Sequence, residues 1–359
     1  MIIDVVKVLM PSTVAFVIGV GITPLVAYYL YKYKLWKKKS VEKSIDGREA
    51  LISASLHRDE EKKTPRMGGV VIWLSVILTA LFFWMADQII GSDLFSKLDF
   101  VSRNQTWIPL AALLVGALFG LLDDFLGTQG GQGGGGYIGG GLSLTKRLLV
   151  VSLIALSCAL WFYFKLDVSS IGFPIFGEIY IGILIIPLFI LVALGLYSGG
   201  VIDGIDGLAG GIFASMFAAY GIIAFYQHQI DLASFCATVV GATLAFLWFN
   251  IPPARFYMSE TGTMGLTVTL AVVAFMTDAL GDGHGLLALP VIAMPLIITT
   301  LSVIIQLMSK KIRGKKVFLV APLHHHFEAL GWPGYKVTMR FWIVGIVFAS
   351  LGVVFALIG

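Results

Sequence analysis

Ten runs of at least 17 residues without Asp, Glu, Lys or Arg divide this chain, and each is apolar enough to enter a bilayer. They cover 8–31, 67–86, 104–122, 148–164, 179–202, 207–230, 232–254, 261–277, 283–309 and 341–359. A charge at mid-bilayer costs about 2.5–3.5 kcal/mol on insertion scales, so such runs are where spanning helices form. The fold class expected is all-α: one ten-helix polytopic membrane domain over residues 1–359. A further charge-free run, 125–145, is mostly glycine and is read as a loop. With 58% hydrophobic and only 13% charged residues, a cytosolic enzyme, a secreted disulfide scaffold and a disordered chain are all excluded. Cys158 and Cys236 lie inside apolar runs and read as small core residues.

Ten spans put both termini on one side, and the first connection decides which. Residues 32–66 carry eleven Lys or Arg, including Lys62 and Lys63, which makes this loop cytoplasmic and both termini exterior, on the periplasmic side. The same alternation gathers 21 of the 25 basic residues on the cytoplasmic side and leaves Lys7, Lys97, Arg103 and Lys165 for the other. The run 8–31 is longer than a signal-peptide core, and its positive charge follows it, so no cleavable signal is expected.

The candidate chemistry lies in the cytoplasmic connections, at about 32–66, 123–147, 203–206, 255–260 and 310–340. Asp123 and Asp124 close the third run, where carboxylates meet the negative end of a helix dipole and call for a cation. Asp203 and Asp206 sit three apart with a glycine after each. Helix capping would account for Asp206 but not for Asp203, which follows 24 charge-free residues. His324, His325 and His326 fan through about 200° on a helix, so they do not all address one atom. Beside Lys310, Lys311, Arg313, Lys315 and Lys316 they suit phosphate better than zinc. The ten glycines within 127–141 match a dinucleotide fingerprint merely through composition, and a tether is the default reading. Acids at helix ends, rather than on broken helices at the midplane, favour a water-soluble substrate met at the membrane surface over a transport path.

Three segments now fall into a pattern: Phe119-Gly-Leu-Leu-Asp-Asp-Phe125, Asp203-Gly-Ile-Asp-Gly-Leu-Ala209 and Asn250-Ile-Pro-Pro-Ala-Arg-Phe-Tyr-Met-Ser-Glu-Thr-Gly262. Their order resembles the cytoplasmic motifs of the polyprenyl-phosphate N-acetylhexosamine-1-phosphate transferases. Pro322-Leu-His-His-His-Phe-Glu328, Gly331-Trp-Pro333 and Lys336-Val-Thr-Met-Arg-Phe-Trp342 resemble the phospho-N-acetylmuramoyl-pentapeptide transferase branch, and the likeness begins at Thr64-Pro-Arg-Met-Gly-Gly69. The resemblance implies a Mg²⁺-dependent homodimer in the bacterial inner membrane, with its site facing the cytoplasm. It implies transfer of phospho-MurNAc-pentapeptide from UDP-MurNAc-pentapeptide to undecaprenyl phosphate, giving lipid I and UMP in peptidoglycan synthesis. Membrane lipids are partners and nucleic acid is not.

Carried over residue by residue, the resemblance makes Asp123, Asp124, Asp203 and His324 catalytic. Asp206, Asn250, His325, His326, Lys62 and Lys63 would bind substrate, and Glu260 with Asp203 would hold the metal. Of the acidic pair, Asp123 is assigned to the lipid phosphate. This chain departs from the pattern at Glu260, where the family has Asp, at Gly200 for Asn and at Arg66 for Thr. It also lacks lysines within 127–141, for which Lys62, Lys63 or Lys146 would compensate. The competing readings are a transferase for another UDP-N-acetylhexosamine such as UDP-GlcNAc, a transporter using Asp87 and Asp278, and a catalytically impaired homologue.

Overall fold

The computed structural model describes residues 2–36, 64–101, 105–128, 141–173, 177–280 and 283–358. Lys62, Lys63 and most of the glycine-rich stretch lie outside them. Among the described residues, ten helices are long and apolar enough to cross a membrane, one for each apolar run. In chain order the helices are α1 (Ile2–Lys32), α2 (Val70–Ile90), a short α3 (Asp93–Leu98), α4 (Trp107–Thr128), α5 (Leu144–Lys165) and α6 (Ile185–Gly199). They continue with α7 (Leu208–Tyr226), α8 (Ile230–Asn250), α9 (Ser259–Ala279), α10 (Gly285–Ile292), α11 (Met294–Arg313), α12 (Leu323–Ala329) and α13 (Gly334–Ile358).

Helix α9 is the axis of the bundle and is buried almost throughout. Its sequence explains how a threonine-rich segment tolerates that position. Thr263, Thr267, Thr269 and Thr277 each return their hydroxyl to the carbonyl four residues back, so these four hydroxyls need no partner from another helix. The same small side chains let neighbours approach closely. Gly116 and Gly120, a Gly-x-x-x-Gly pair on α4, press against α9. A Cβ on Gly116 would stand 2.9 Å from the Gly265 Cα, and one on Gly120 would stand 2.5 Å from the carbonyl carbon of Glu260. This crossing sets the acidic pair of α4 against the start of α9. Around it, α1 packs on α8, α8 on α7, and α7 on α13.

Three local expectations need correction. The third span does not stop at Asp123-Asp124: α4 continues to Thr128, so both acids lie inside its last turns. The ninth run breaks at Ala293 into α10 and α11, since Pro295 sits in the first turn of a new helix where its missing N–H is not needed. Only Met294–Arg313 is long enough to span. The exterior connection after α5 forms a two-stranded antiparallel hairpin, β1 (Ser170–Phe173) with β2 (Gly177–Tyr180), in an otherwise helical chain. Asp278, the acid that a transport reading would use, is buried and accepts N–H bonds from Gly172 (2.8 Å) and Leu286 (3.0 Å). It ties the hairpin to the start of α10, a structural role that removes its attraction as a transport acid.

Candidate active site

At the opposite end of the bundle from that hairpin, four segments bring carboxylates together. The first is the end of α4. Asp124 is fully buried, and its Oδ2 accepts from both the amide (2.8 Å) and the hydroxyl (2.7 Å) of Thr261 in the first turn of α9. Its Oδ1 accepts no hydrogen bond among the described residues and lies 4.0 Å from the Arg66 Nε. Asp123, one residue earlier, points elsewhere, as the helical 100° step requires. Its Oδ1 accepts from the Leu142 amide at 2.6 Å, and its Oδ2 meets a guanidinium nitrogen of Arg147 at 3.0 Å.

Arg147, in the first turn of α5, supplies the cation that the helix-end position of the acids called for. Its other terminal nitrogen reaches Glu260 Oε1 at 2.8 Å, so one guanidinium bridges two carboxylates from different helices. Glu260 Oε2 accepts from the Tyr197 hydroxyl at 3.2 Å. Glu260 thus meets Arg147 with one carboxylate oxygen and Tyr197 with the other. Arg66 donates from Nε to the Ser259 hydroxyl at 3.2 Å. The Pro65–Gly69 segment is fixed beside α9 by backbone bonds from Tyr257 to Pro65 and from Gly68 to Tyr257.

Asp203 follows a short 3₁₀ turn after α6 and accepts from the Ser259 amide at 2.7 Å. Burial raises its carboxyl to about 6, against the opposing pull of that N–H and of Arg66. Asp206 does not cap α7, whose N-cap is Gly207 in a left-handed conformation. It accepts instead from the Ala254 amide at 2.9 Å, joining the Asp203–Gly207 turn to the connection after α8. Asn250 reinforces that joint. Its carbonyl accepts from Gly207 and its amide donates to Phe256, at 3.0 and 2.8 Å, and the side chain is buried. Its place in the geometry is therefore to hold two site loops in register.

The histidines reach the site because α11 clamps the chain that follows it. Gln306 accepts from the Val317 and Phe318 amides, Ser309 donates to the Lys315 carbonyl, and Ser302 accepts from Leu323 at the start of α12. Helix α12 is thereby laid over the Asp203–Gly207 turn. His324 is fully buried, and a Cβ on Gly204 would stand 2.5 Å from its Nε2 and 2.8 Å from that of His325. Gly204 is what lets both imidazoles approach the turn. His325 Nδ1 pairs with Glu328 at 2.7 Å, whereas His326 turns away and accepts from the Leu319 amide. The fan expected from three consecutive histidines is thus realised, with two rings on the acidic turn and one outside.

Residues 106–278 match the profile of Glycosyl transferase family 4. A protein of Geobacillus sp. (strain WCH70) named phospho-N-acetylmuramoyl-pentapeptide-transferase is 34% identical, the match covering 82% of this chain and 85% of that protein. Proteins of the same name from Geobacillus thermodenitrificans and Anoxybacillus flavithermus are 33% and 31% identical, over 95% and 96% of this chain and 95% and 97% of theirs. The chain belongs to the phospho-N-acetylmuramoyl-pentapeptide-transferase family. In this member the expected acids and His324 do converge, and Arg147, Tyr197, Thr261 and Ser259 join them. Of the three compensating bases that the sequence offers, Lys62 and Lys63 lie outside the described residues, and Lys146 is one residue short of Arg147, which enters the site. The available signal was a second basic residue in the first turn of an apolar helix.

Proposed function

We propose that this chain transfers phospho-MurNAc-pentapeptide from UDP-MurNAc-pentapeptide to undecaprenyl phosphate, forming lipid I and UMP at the cytoplasmic face of the bacterial inner membrane. The observation that carries the reading is the convergence of Asp123, Asp124, Asp203 and Glu260 with Arg66, Arg147 and the His324-His325 edge at one end of the helical bundle. Phosphoryl transfer asks for positioning and charge neutralisation rather than a covalent nucleophile, and this set offers both. The acceptor phosphate has a second pKa near 6, so at neutral pH it needs orientation more than a strong base. Its oxygen attacks the sugar-linked phosphorus, the bond from that phosphorus to the bridging oxygen breaks, and UMP departs with that oxygen. Asp123, held by Arg147 and the Leu142 amide, orients the acceptor. Arg66 and the imidazoles of His324 and His325 bind the diphosphate oxygens, and Asp206 with Asn250 fixes the loops beneath the nucleotide.

The donor set suits Mg²⁺: hard carboxylate oxygens, with Asp124 Oδ1 buried and accepting no hydrogen bond among the described residues. Asp124, Asp203 and Glu260 would hold it, and when bound it supplies charge neutralisation at the diphosphate. A homodimer belongs to the same reading.

Purified chain given undecaprenyl phosphate and Mg²⁺ should release UMP from UDP-MurNAc-pentapeptide and not from UDP-GlcNAc. The reverse preference would move the chain to the related GlcNAc-1-phosphate chemistry, and no release from either would overturn the assignment. Labelling of a cysteine placed in 310–316 by an impermeant reagent from outside intact cells would overturn the orientation.

A further inference from the structure

The bridge made by Arg147 has a consequence for the metal. Its guanidinium lies between Asp123 and Glu260, 3.0 Å from one carboxylate and 2.8 Å from the other. Among the described residues, no three acidic, histidine or cysteine side chains close on a common point tightly enough to enclose a metal ion. Of the three acids assigned to the metal, Glu260 is drawn toward Arg147 instead. Glu260 is further committed through Tyr197 on its second oxygen. We infer that Arg147 is a resident cation that competes with the divalent metal for Glu260, while it also holds Asp123. A bound metal would take the Glu260 carboxylate in place of the guanidinium, and Arg147, freed from Glu260, would offer its charge to a diphosphate oxygen. The exchange couples metal occupancy to an open phosphate-binding group.

The inference rests on the reading of these acids as a divalent-cation site, and the test separates the two. Mn²⁺ alone, titrated into the full-length purified protein without substrate and followed by its electron paramagnetic resonance signal, reports affinity directly. Arg147→Gln removes the competing charge at similar side-chain length and should bind Mn²⁺ about ten-fold more tightly or better. Mn²⁺ should also raise its melting temperature by more than it raises that of the unaltered protein, because the metal then neutralises a Glu260 carboxylate that has lost its cation. Arg147→Lys keeps the charge but loses the planar fork that spans both acids, and should bind Mn²⁺ more tightly by a smaller factor; it carries the test should Arg147→Gln not fold. Normal Mn²⁺ binding in the unaltered protein with no gain in either variant would overturn the role of Arg147 and leave the metal site standing. An absence of Mn²⁺ binding in all three proteins would overturn the metal site and the inference together.

Discussion

The α4–α9 crossing governs catalysis through a single missing methyl group. A Cβ at Gly120 would stand 2.5 Å from the Glu260 carbonyl carbon and 2.9 Å from the Thr261 Cα. Ordinary carbon contacts sit near 3.5–4.0 Å, so Gly120→Ala must separate the helices by about 1 Å, against backbone that offers no alternative rotamer. Overpacking of this kind costs about 1–3 kcal/mol. The functional cost is larger, because Asp123 and Asp124 lie less than two turns along α4 while Glu260 and Thr261 are the residues struck. A displacement of about 1 Å at a phosphoryl-transfer site lowers turnover by about 10²-fold. Gly116→Ala should do less, since its Cβ would meet the Gly265 Cα at 2.9 Å and the Met264 carbonyl at 3.1 Å, a turn further from the acids. Gly195→Ala, whose Cβ would meet nothing within 4 Å, serves as the control. The assay is UMP release at saturating substrates beside a melting curve in the same detergent. Gly120→Ala turning over within about three-fold of the unaltered protein would refute the claim that this crossing sets the spacing of the acids.

Asp203→Asn should stabilise the protein in chelator at pH 8 and not at pH 4. Burial raises the folded-state carboxyl from 3.8 to about 6, so the native state holds its proton to higher pH than the unfolded chain and stability falls across that window. The full penalty, at most about 3 kcal/mol, is present above pH 6, and a melting temperature of the variant no higher at pH 8 would contradict it. Thr261→Val keeps the amide bond to Asp124 and deletes the 2.7 Å hydroxyl bond, leaving a buried carboxylate under-solvated. A loss of about 1–3 kcal/mol on thermal or denaturant unfolding is expected, with turnover falling alongside. Gly204→Ala inserts a methyl group 2.5 Å from the His324 Nε2. It should raise KM for the sugar nucleotide by pushing α12 off the acidic turn, while the far-ultraviolet helical signal stays unchanged.

Much of the architecture was readable because the bilayer makes charge-free length the dominant signal. Each apolar run corresponds to one spanning helix, and the runs misjudged at their ends are those where backbone chemistry outweighs hydropathy. Pro295 restarts a helix inside a run with no charge to mark the break. The Asp123-Asp124 pair stays helical because Arg147 and Thr261, distant in sequence, neutralise and solvate it. The acids of the site were visible as charges stranded at the ends of apolar segments. Arg147 was not, because its neighbour Lys146 carries the same charge and only the phase of α5 distinguishes them. Tyr197 lies within an apolar run, where an aromatic residue reads as packing, and nothing in its local sequence points to Glu260 some 63 residues away. The sequence points to Asn250 for a nucleotide, and what it could not show is the joint that this side chain makes between Gly207 and Phe256, 43 positions before it and 6 after it.

The central claim is that this site moves a phosphorylated sugar, breaking the bond between the two phosphates of the donor. UDP-MurNAc-pentapeptide labelled with ³²P at the sugar-linked phosphate, incubated with the protein, undecaprenyl phosphate and Mg²⁺, tests it most directly. The label should pass into the lipid phase in step with the release of unlabelled UMP, and the transfer should fail in Asp203→Asn. Label recovered in water as UDP, with unlabelled sugar on the lipid, would mean cleavage at the sugar carbon instead and would contradict the account.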